Sequence, residues 1–375
     1  MTLTLTPAAA TAGDEARRFV TERILPHAAA WEAQGDFPRA LFLQAGQAGL
    51  LGWKVPPELG GRGPDFLADA AVTEELAACG SGGVAAGLGA HKDLGPYYIA
   101  RFGTDEQRRR WVPAAVAGEI VGALAVTEPH AGSDVAGIRT RARPQPGGDW
   151  VLDGTKTFIT NGTRADVIVV AALTDPDADG GGHHGTTLFV LESTDPGFSA
   201  RRIPTLGWRT SSTGELTFAD VHLPADRVLG GQEAVGQGFV SIMRNFQWER
   251  IVMALAAARG ARDGLGRAVG GQRQRGRMPN DRLADLAGEV EAASALARDA
   301  LRRFVDGQDA VRETSMAKWF ACDLAVRVAE EALRLAGPAG LTGDEARALR
   351  DARLGPIGGG TTEIMLEVIG RGYGL

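Results

Sequence analysis

The chain has 375 residues, 44% hydrophobic and 23% charged, the balance of a globular protein with room for two or three domains. That composition excludes disorder and collagen, and a disulfide scaffold is excluded because the only cysteines, Cys79 and Cys322, read as reduced thiols of a cytosolic protein. A formal net charge of -6 argues against a general nucleic-acid binder.

Among the 40 basic residues only Lys54, Lys92, Lys156 and Lys318 are lysines, a bias that reads as coding composition rather than phosphate binding. One of the longest apolar runs, Val167–Leu173, falls far short of the roughly 18 residues of a membrane span. No basic residue precedes Arg17, so a signal segment is not expected and the reading is cytoplasmic.

The first third reads as helices. Asp14 and Glu15 fit a cap and a first-turn acid, and Ala16, Phe19, Val20 and Ile24 then recur on one helical face. Pro38 fits the first turn of a segment carrying Leu41, Phe42 and Ala45. Thr104-Asp-Glu-Gln107 is a capping box and predicts a helix through Trp111. Short strands follow. Trp150–Leu152, a tight Asp153-Gly154 turn and Thr155–Thr160 read as a hairpin, with further strands at Val167–Leu173, Thr187–Leu191 and Leu216–Leu223. Amphipathic helices return near 237–266, 281–306 and 312–336. Helices, then an antiparallel β domain, then helices, with no βαβ alternation, argue against a doubly wound parallel sheet.

Several common sites are missing. Asp175, Asp177, Asp179 and Gly180 imitate the start of a calcium loop, but its twelfth position is Thr186 where a bidentate Glu is needed. The stretch reads as a solvated loop, and no metal site is assigned. No G-x-G-x-x-G that follows a strand and opens a helix is expected, and no Walker A loop or G-x-S-x-G elbow is present.

Three stretches carry information. Val126-Thr-Glu-Pro-His-Ala-Gly-Ser-Asp134 offers short hydroxyls and small residues that let backbone amides approach a flat polar ring or an anion. Gly154-Thr-Lys-Thr-Phe-Ile-Thr-Asn-Gly162 reads as a strand in which Phe158 and Thr160 share a face. Gly358-Gly-Gly-Thr-Thr-Glu-Ile364 places bare amides before a Thr-capped helix, a site for an anion or carbonyl oxygen. A plain turn, an ordinary strand face and a flexible loop are the bland alternatives.

In this order, and in a helix–strand–helix chain, the three stretches resemble the acyl-CoA dehydrogenase family. Further matches are Gly49-Leu-Leu-Gly-Trp-Lys-Val-Pro56, Glu58-Leu-Gly-Gly61, Phe102-Gly-Thr-Asp-Glu-Gln107, Phe218-Ala-Asp-Val-His-Leu-Pro224 and Arg350-Asp-Ala-Arg353. The resemblance implies a multidomain α+β fold: an N-terminal helical domain (1–120), a middle antiparallel β barrel-like domain (121–230) and a C-terminal four-helix bundle (231–375). It implies FAD between the β domain and the C-terminal helices. Leu124, Val126 and Thr127 would lie along the isoalloxazine, and Ser133 near the pyrophosphate or the pantetheine arm. Phe158, Ile159 and Thr160 would cover the other side, with Thr361 and Glu363 in contact at the last helix. Phe246, Arg250, Gly359 and Gly360, with Ser133, would meet the substrate. The implied partners are an acyl thioester on coenzyme A or an acyl carrier protein, electron-transfer flavoprotein or another acceptor, and further copies in a homotetramer or homodimer.

The implied reaction is α,β-dehydrogenation to the 2-enoyl thioester, and it needs a general base at the α-carbon. Many members place this Glu just before the C-terminal Gly-Thr, where this chain has Gly359. The long-chain and isovaleryl branches take it from an earlier helix in an E-R-[LI] context. Phe246-Gln-Trp-Glu-Arg-Ile251 matches that context with Glu249, and its apolar neighbours would raise the carboxyl pKa. The family's Arg-x-x-Phe-Gly loop is shortened to Gly270–Pro279, where Arg273, Arg275 or Arg277 could substitute. Its Gln-x-x-Gly-Gly-x-Gly segment reads Arg334-Leu-Ala-Gly-Pro-Ala-Gly340, and His130 stands where glycine is usual. Such drift suits a specialised member. A flavin monooxygenase on the same fold and a non-catalytic relative are the competing readings.

Overall fold

The computed structural model describes residues 6–276 and 281–375. The N-terminal part is α1 (Pro7–Phe19), α2 (Ala28–Gln34), α3 (Ala40–Gln47), α4 (Phe66–Ala77), α5 (Gly82–Asp93), α6 (Gly95–Phe102) and α7 (Asp105–Val116). The first helix begins earlier than Asp14 and Glu15 suggest. Thr6 accepts from Ala9 N at 3.1 Å and Pro7 occupies the first turn, so a cap with proline starts α1 about two turns before the acids. Ala16, Phe19, Val20 and Ile24 are all buried, and Val20–Ile24 continue as a π-helical turn. The capping box closes as read: Thr104 Oγ1 accepts from Gln107 N at 3.2 Å and Gln107 Oε1 from Thr104 N at 3.0 Å.

The middle part is β1 (Gly122–Ala125), β2 (Arg141–Pro144), β3 (Trp150–Ile159), β4 (Val167–Leu173), the short α8 (Gly182–Gly185), β5 (Thr186–Glu192), β6 (Phe198–Arg202) and β7 (Gly214–Leu223). They form one sheet in the order β1-β4-β2-β3-β7-β6, with β5 added on β4. Antiparallel pairs dominate, while β1 joins β4 in parallel, as does β2 at Arg141 and Leu173.

The Asp153-Gly154 turn is not there; both residues lie inside the continuous β3. The register against β7 shifts between Leu152 and Gly154, and Asp153 Oδ1 accepts from Asp220 N at 2.9 Å. Asp-Gly therefore marks a bulge, with glycine required because a Cβ would stand 2.7 Å from Thr140 Cα. The actual turn is one strand earlier, at Gly147 and Gly148, both with positive φ, where Gln145 N–H donates to Asp149 C=O at 2.8 Å.

The C-terminal part is α9 (Gly238–Gln274), α10 (Asp281–Val305), α11 (Val311–Ala336), α12 (Asp344–Ala352) and α13 (Thr362–Gly372). Ile251, Leu255, Leu286, Val290, Leu324 and Val328 close the core between α9, α10 and α11. The N-terminal end of α9 also packs on α4, where Phe66 meets Trp248 edge-on at 4.9 Å. Among the described residues no helix is long and apolar enough to cross a membrane.

Candidate active site

Three parts of the chain meet at Glu249. Its helix is held by apolar neighbours: Trp248 and Ile251 are sealed, and Val252 is buried. Glu249 as a residue is half-buried, yet its Oε2 is closed to solvent and has no hydrogen-bond partner. Desolvation pushes the carboxyl up to about 7, aided by Asp93 and opposed by Arg250 and Lys318. Such a group exchanges its proton near neutral pH. Arg250 is also buried, and its Nε has no partner.

The turn before α13 closes on this pair. A Cβ placed on Gly359 would stand 3.6 Å from Glu249 Oε1 and 2.4 Å from Met253 Sδ; one on Gly360 would stand 3.8 Å from Arg250 Nε. Both glycines have positive φ, 65° and 100°, so this turn depends on them. Lys318, fully buried on α11, donates to Gly360 C=O, and burial lowers its pKa. Thr361 caps α13 by accepting from Ile364 N at 3.3 Å, Thr362 Oγ1 donates to Asp323 at 3.0 Å, and Glu363 is exposed in the first turn. Phe246 is half-buried one turn before Glu249. Tyr98 from α6 faces the same carboxyl; burial, and then the charge of Glu249, hold its phenol well above the usual value.

The β domain supplies a second wall. Val126 is buried, Leu124 and Thr127 are half-buried, and Ser133 is exposed. This stretch is fixed by an ion pair that the motif reading missed. Lys156 Nζ donates to Val126 C=O at 2.8 Å and to Glu128 Oε1 at 2.7 Å, and the Glu128 carboxylate also accepts from the backbone of Arg139 and Thr140 at 2.7 and 2.9 Å. Lys156 has no solvent contact, and desolvation lowers it to about 8 against the pull of Glu128. The signal was available: Lys156 is a rare lysine in the middle of a strand, opposite an acid in the preceding motif.

Phe158 is 65% exposed and has a φ of 58°. A large aromatic side chain in the left-handed region costs about 1–3 kcal/mol and marks a surface built for something other than packing. Thr160 is half-buried, while Ile159 between them is only 3% exposed and packs in the sheet core. Its side chain thus belongs to the core, leaving its backbone for the outer face. Asn161, with a φ of 62°, donates to Gly87 C=O at 2.8 Å and ties this turn to α5.

Elsewhere, Arg275 donates to Leu335 C=O at 3.1 Å and Arg273 is exposed; Arg277 lies outside the described residues. His130 Nε2 is 3.4 Å from Glu128 Oε2. In the Asp175–His184 loop, Asp175 accepts from Asp177 N at 3.0 Å and His184 bonds Asp179 C=O. No group of three or more potential ligands converges on a metal position among the described residues.

The fold thus sets a sheet between two helical parts and brings a carboxyl with an unpaired, buried oxygen against a glycine turn. The comparisons name its kind. Acyl-CoA dehydrogenase N-terminal, middle and C-terminal domains match residues 6–119, 123–221 and 236–374. The mitochondrial long-chain specific acyl-CoA dehydrogenase of Sus scrofa is 36% identical over 374 residues, covering 96% of this chain and 84% of that protein. An acyl-CoA dehydrogenase structure from Geobacillus kaustophilus superposes with a TM-score of 0.93 at 36% identity, over all of both chains. A glutaryl-CoA dehydrogenase from Mycobacterium smegmatis, solved with FADH2, gives 0.89 at 29% identity over 98% of this chain and 95% of that one. The chain belongs to the acyl-CoA dehydrogenase family, flavoprotein oxidoreductases acting on CH–CH donors.

Proposed function

We propose that the chain is an FAD-dependent acyl-thioester dehydrogenase in which Glu249 takes the α-proton and the product is the 2-enoyl thioester. The observation that carries this reading is the Glu249 carboxyl: buried, unpaired at Oε2, raised to about 7 and facing Gly359. A base of that pKa is ionised in a useful fraction near neutral pH and still strong enough to accept a weakly acidic proton. Gly359 and Gly360 let the turn approach the carboxyl closely; a Cβ on either would clash, with Met253 Sδ at 2.4 Å or Met365 Cε at 2.6 Å. Arg250 holds its positive charge beside the carboxyl and offers an unused N–H to a substrate oxygen.

The residues fit a bound flavin. Phe158 presents an exposed ring from a backbone with a φ of 58°, and Thr160 beside it is half-buried. Leu124, Val126 and Thr127 are held rigid behind that space by Lys156 and Glu128. Thr361 and Glu363 bring the N-terminus of α13 to it. Bound there, FAD would supply the acceptor for the hydride leaving the β-carbon. Ser133 and Phe246 would contact the thioester arm and the acyl chain. The carrier is coenzyme A, with an acyl carrier protein as the alternative, electrons pass to electron-transfer flavoprotein or another acceptor, and the enzyme works in the cytoplasm.

The test is anaerobic titration of the flavin-loaded protein with a panel of acyl-CoA thioesters. Bleaching of the blue absorbance by at least one saturated thioester, with enoyl product formed, is expected. No flavin uptake on reconstitution, or no bleaching by any thioester, would overturn the reading.

A further inference from the structure

Four buried charges lie behind the turn of α9 that carries Glu249. Lys54 Nζ donates to Asp69 Oδ2 at 2.8 Å and to Asp93 Oδ1; Lys92 Nζ donates to Asp69 Oδ2 at 2.7 Å and lies 2.9 Å from Asp93 Oδ2. All four side chains are sealed from solvent. Two ammoniums and two carboxylates balance, the condition under which such groups can be buried at all. Burial alone would raise Asp93, but Lys54 and Lys92 hold it below the usual carboxylate range. A sealed ion cluster adds little stability over apolar packing of the same volume; its better-attested use is to fix one arrangement among several.

The arrangement fixed here is that of α9. Asp93 Oδ1 accepts from Trp248 Nε1 at 2.9 Å, and Asp93 C=O accepts from Asn245 Nδ2 at 3.2 Å. Lys54 Nζ stands 5.0 Å from the centre of the Trp248 ring. Trp248 precedes Glu249 directly, and Asn245 is one helical turn earlier. The donors on α9 thus converge on a residue of α5 that the two lysines clamp in place.

We propose that Lys54, Asp69, Lys92 and Asp93 form a positioning cluster for Glu249: Asp93, through Asn245 and Trp248, sets the rotation of the α9 turn that directs the carboxyl toward Gly359. The inference rests on Glu249 being the base. The charged or titratable groups facing Glu249 are Arg250 on its own helix, Asp93 from α5, Tyr98 from α6 and Lys318 from α11. Of these, Asp93 bonds both Trp248 and Asn245 of α9. The cluster residues are positioning residues, remote from the reacting atoms.

Trp248→Phe tests this with all four charges left in place: it removes the Nε1–H donor and keeps an aromatic ring facing Phe66, at the cost of a small cavity where the rest of the sealed indole was. Flavin-loaded Trp248→Phe should be reduced by acyl-CoA roughly 10- to 100-fold more slowly, the scale of loss for a small misplacement of a reacting group. Thioester Kd should stay within about twofold. The midpoint of the rate–pH profile should move to lower pH, because a looser carboxyl is better hydrated. A charge-matched pair gives a second reading: Asp93→Asn keeps an acceptor for Trp248, Asp93→Ala does not, and Asn should retain the faster reduction. A purely structural role predicts a lower Tm with an unchanged rate and pH profile in Trp248→Phe, and that result overturns the proposal. Glu249→Gln, run alongside, separates the two ideas. If it reduces flavin normally, the base assignment has failed; if it is inert while Trp248→Phe is normal, only the positioning cluster has.

Discussion

Glu249 and Gly359 face each other across the site, with 3.6 Å between Glu249 Oε1 and the point where a Gly359 Cβ would be. Two positions far apart in sequence therefore address one volume, and a carboxylate at one leaves no need for it at the other. Gly359→Glu in a Glu249→Gln background should restore part of the lost flavin reduction. Full recovery is not expected, because the position has a φ of 65° and the new Cβ would press on Met253 Sδ at 2.4 Å. Met253 is flexible and can yield; the backbone strain should remain, at about 1–3 kcal/mol of stability. Stopped-flow reduction of the double variant, compared with Glu249→Gln alone, reads the rescue.

The raised Glu249 pKa gives a pH signature. The group must be ionised to act as base, so the reduction rate should rise with pH and level off above about 7. The stability sign is the opposite. The folded state binds this proton more tightly than the unfolded one, so the contribution of Glu249 to stability falls as pH rises from about 4.5 toward 7. Glu249→Gln should thus melt higher than wild type at pH 8, with the gap closing toward pH 5. Thermal unfolding across that range checks it; a gap that does not change with pH contradicts it.

All four lysines of this arginine-rich chain are buried. Each sits where a compact ammonium fits and a planar five-donor guanidinium does not. Lys156→Arg should be the sharpest case, since the site offers Val126 C=O and Glu128 to a single point charge. Overpacking and unpaired donors should cost about 1–3 kcal/mol, read by denaturant unfolding, and flavin retention should fall with it. An Arg substitution tolerated without loss would show that the lysine is there by chance.

These lysines also show where the sequence was legible and where it was misread. Their rarity was read as coding bias, which explains why exposed lysines are scarce and leaves the buried four unexplained. Helical faces such as Phe19, Val20 and Ile24 were plain because apolar spacing is a local signal. Asp153-Gly154 misled because a bulge and a tight turn ask for the same residues, and only the partner strand decides between them. The strands Gly122–Ala125, Arg141–Pro144 and Phe198–Arg202 escaped notice because they are short. At the site, the Gly358–Gly360 turn and Glu249 were each visible as motifs. Their meeting, and the hold of Asp93 on Trp248, depend on packing between helices that no spacing rule records.

The C-terminal end leaves apolar side chains in water. Ile357, Leu366, Tyr373 and Leu375 are exposed around α13, and Leu341 after α11, a density that suits burial against further copies. The chain should run as a homodimer or homotetramer in light scattering, well above its 39.3 kDa protomer mass. Leu366→Arg should shift it toward smaller species. A wild-type protein that stays at protomer mass at micromolar concentration contradicts the expectation.

The central claim is that Glu249 takes the α-proton, and the most direct test is anaerobic flavin reduction by an acyl-CoA that the wild type dehydrogenates, repeated with Glu249→Gln. Gln is nearly isosteric, so fold, FAD content and thioester binding should be preserved. A positioned base contributes about 10²–10⁴-fold, and the reduction rate should fall by at least that order at every pH. Reduction by Glu249→Gln within a few-fold of wild type, with flavin bound, would place the base elsewhere.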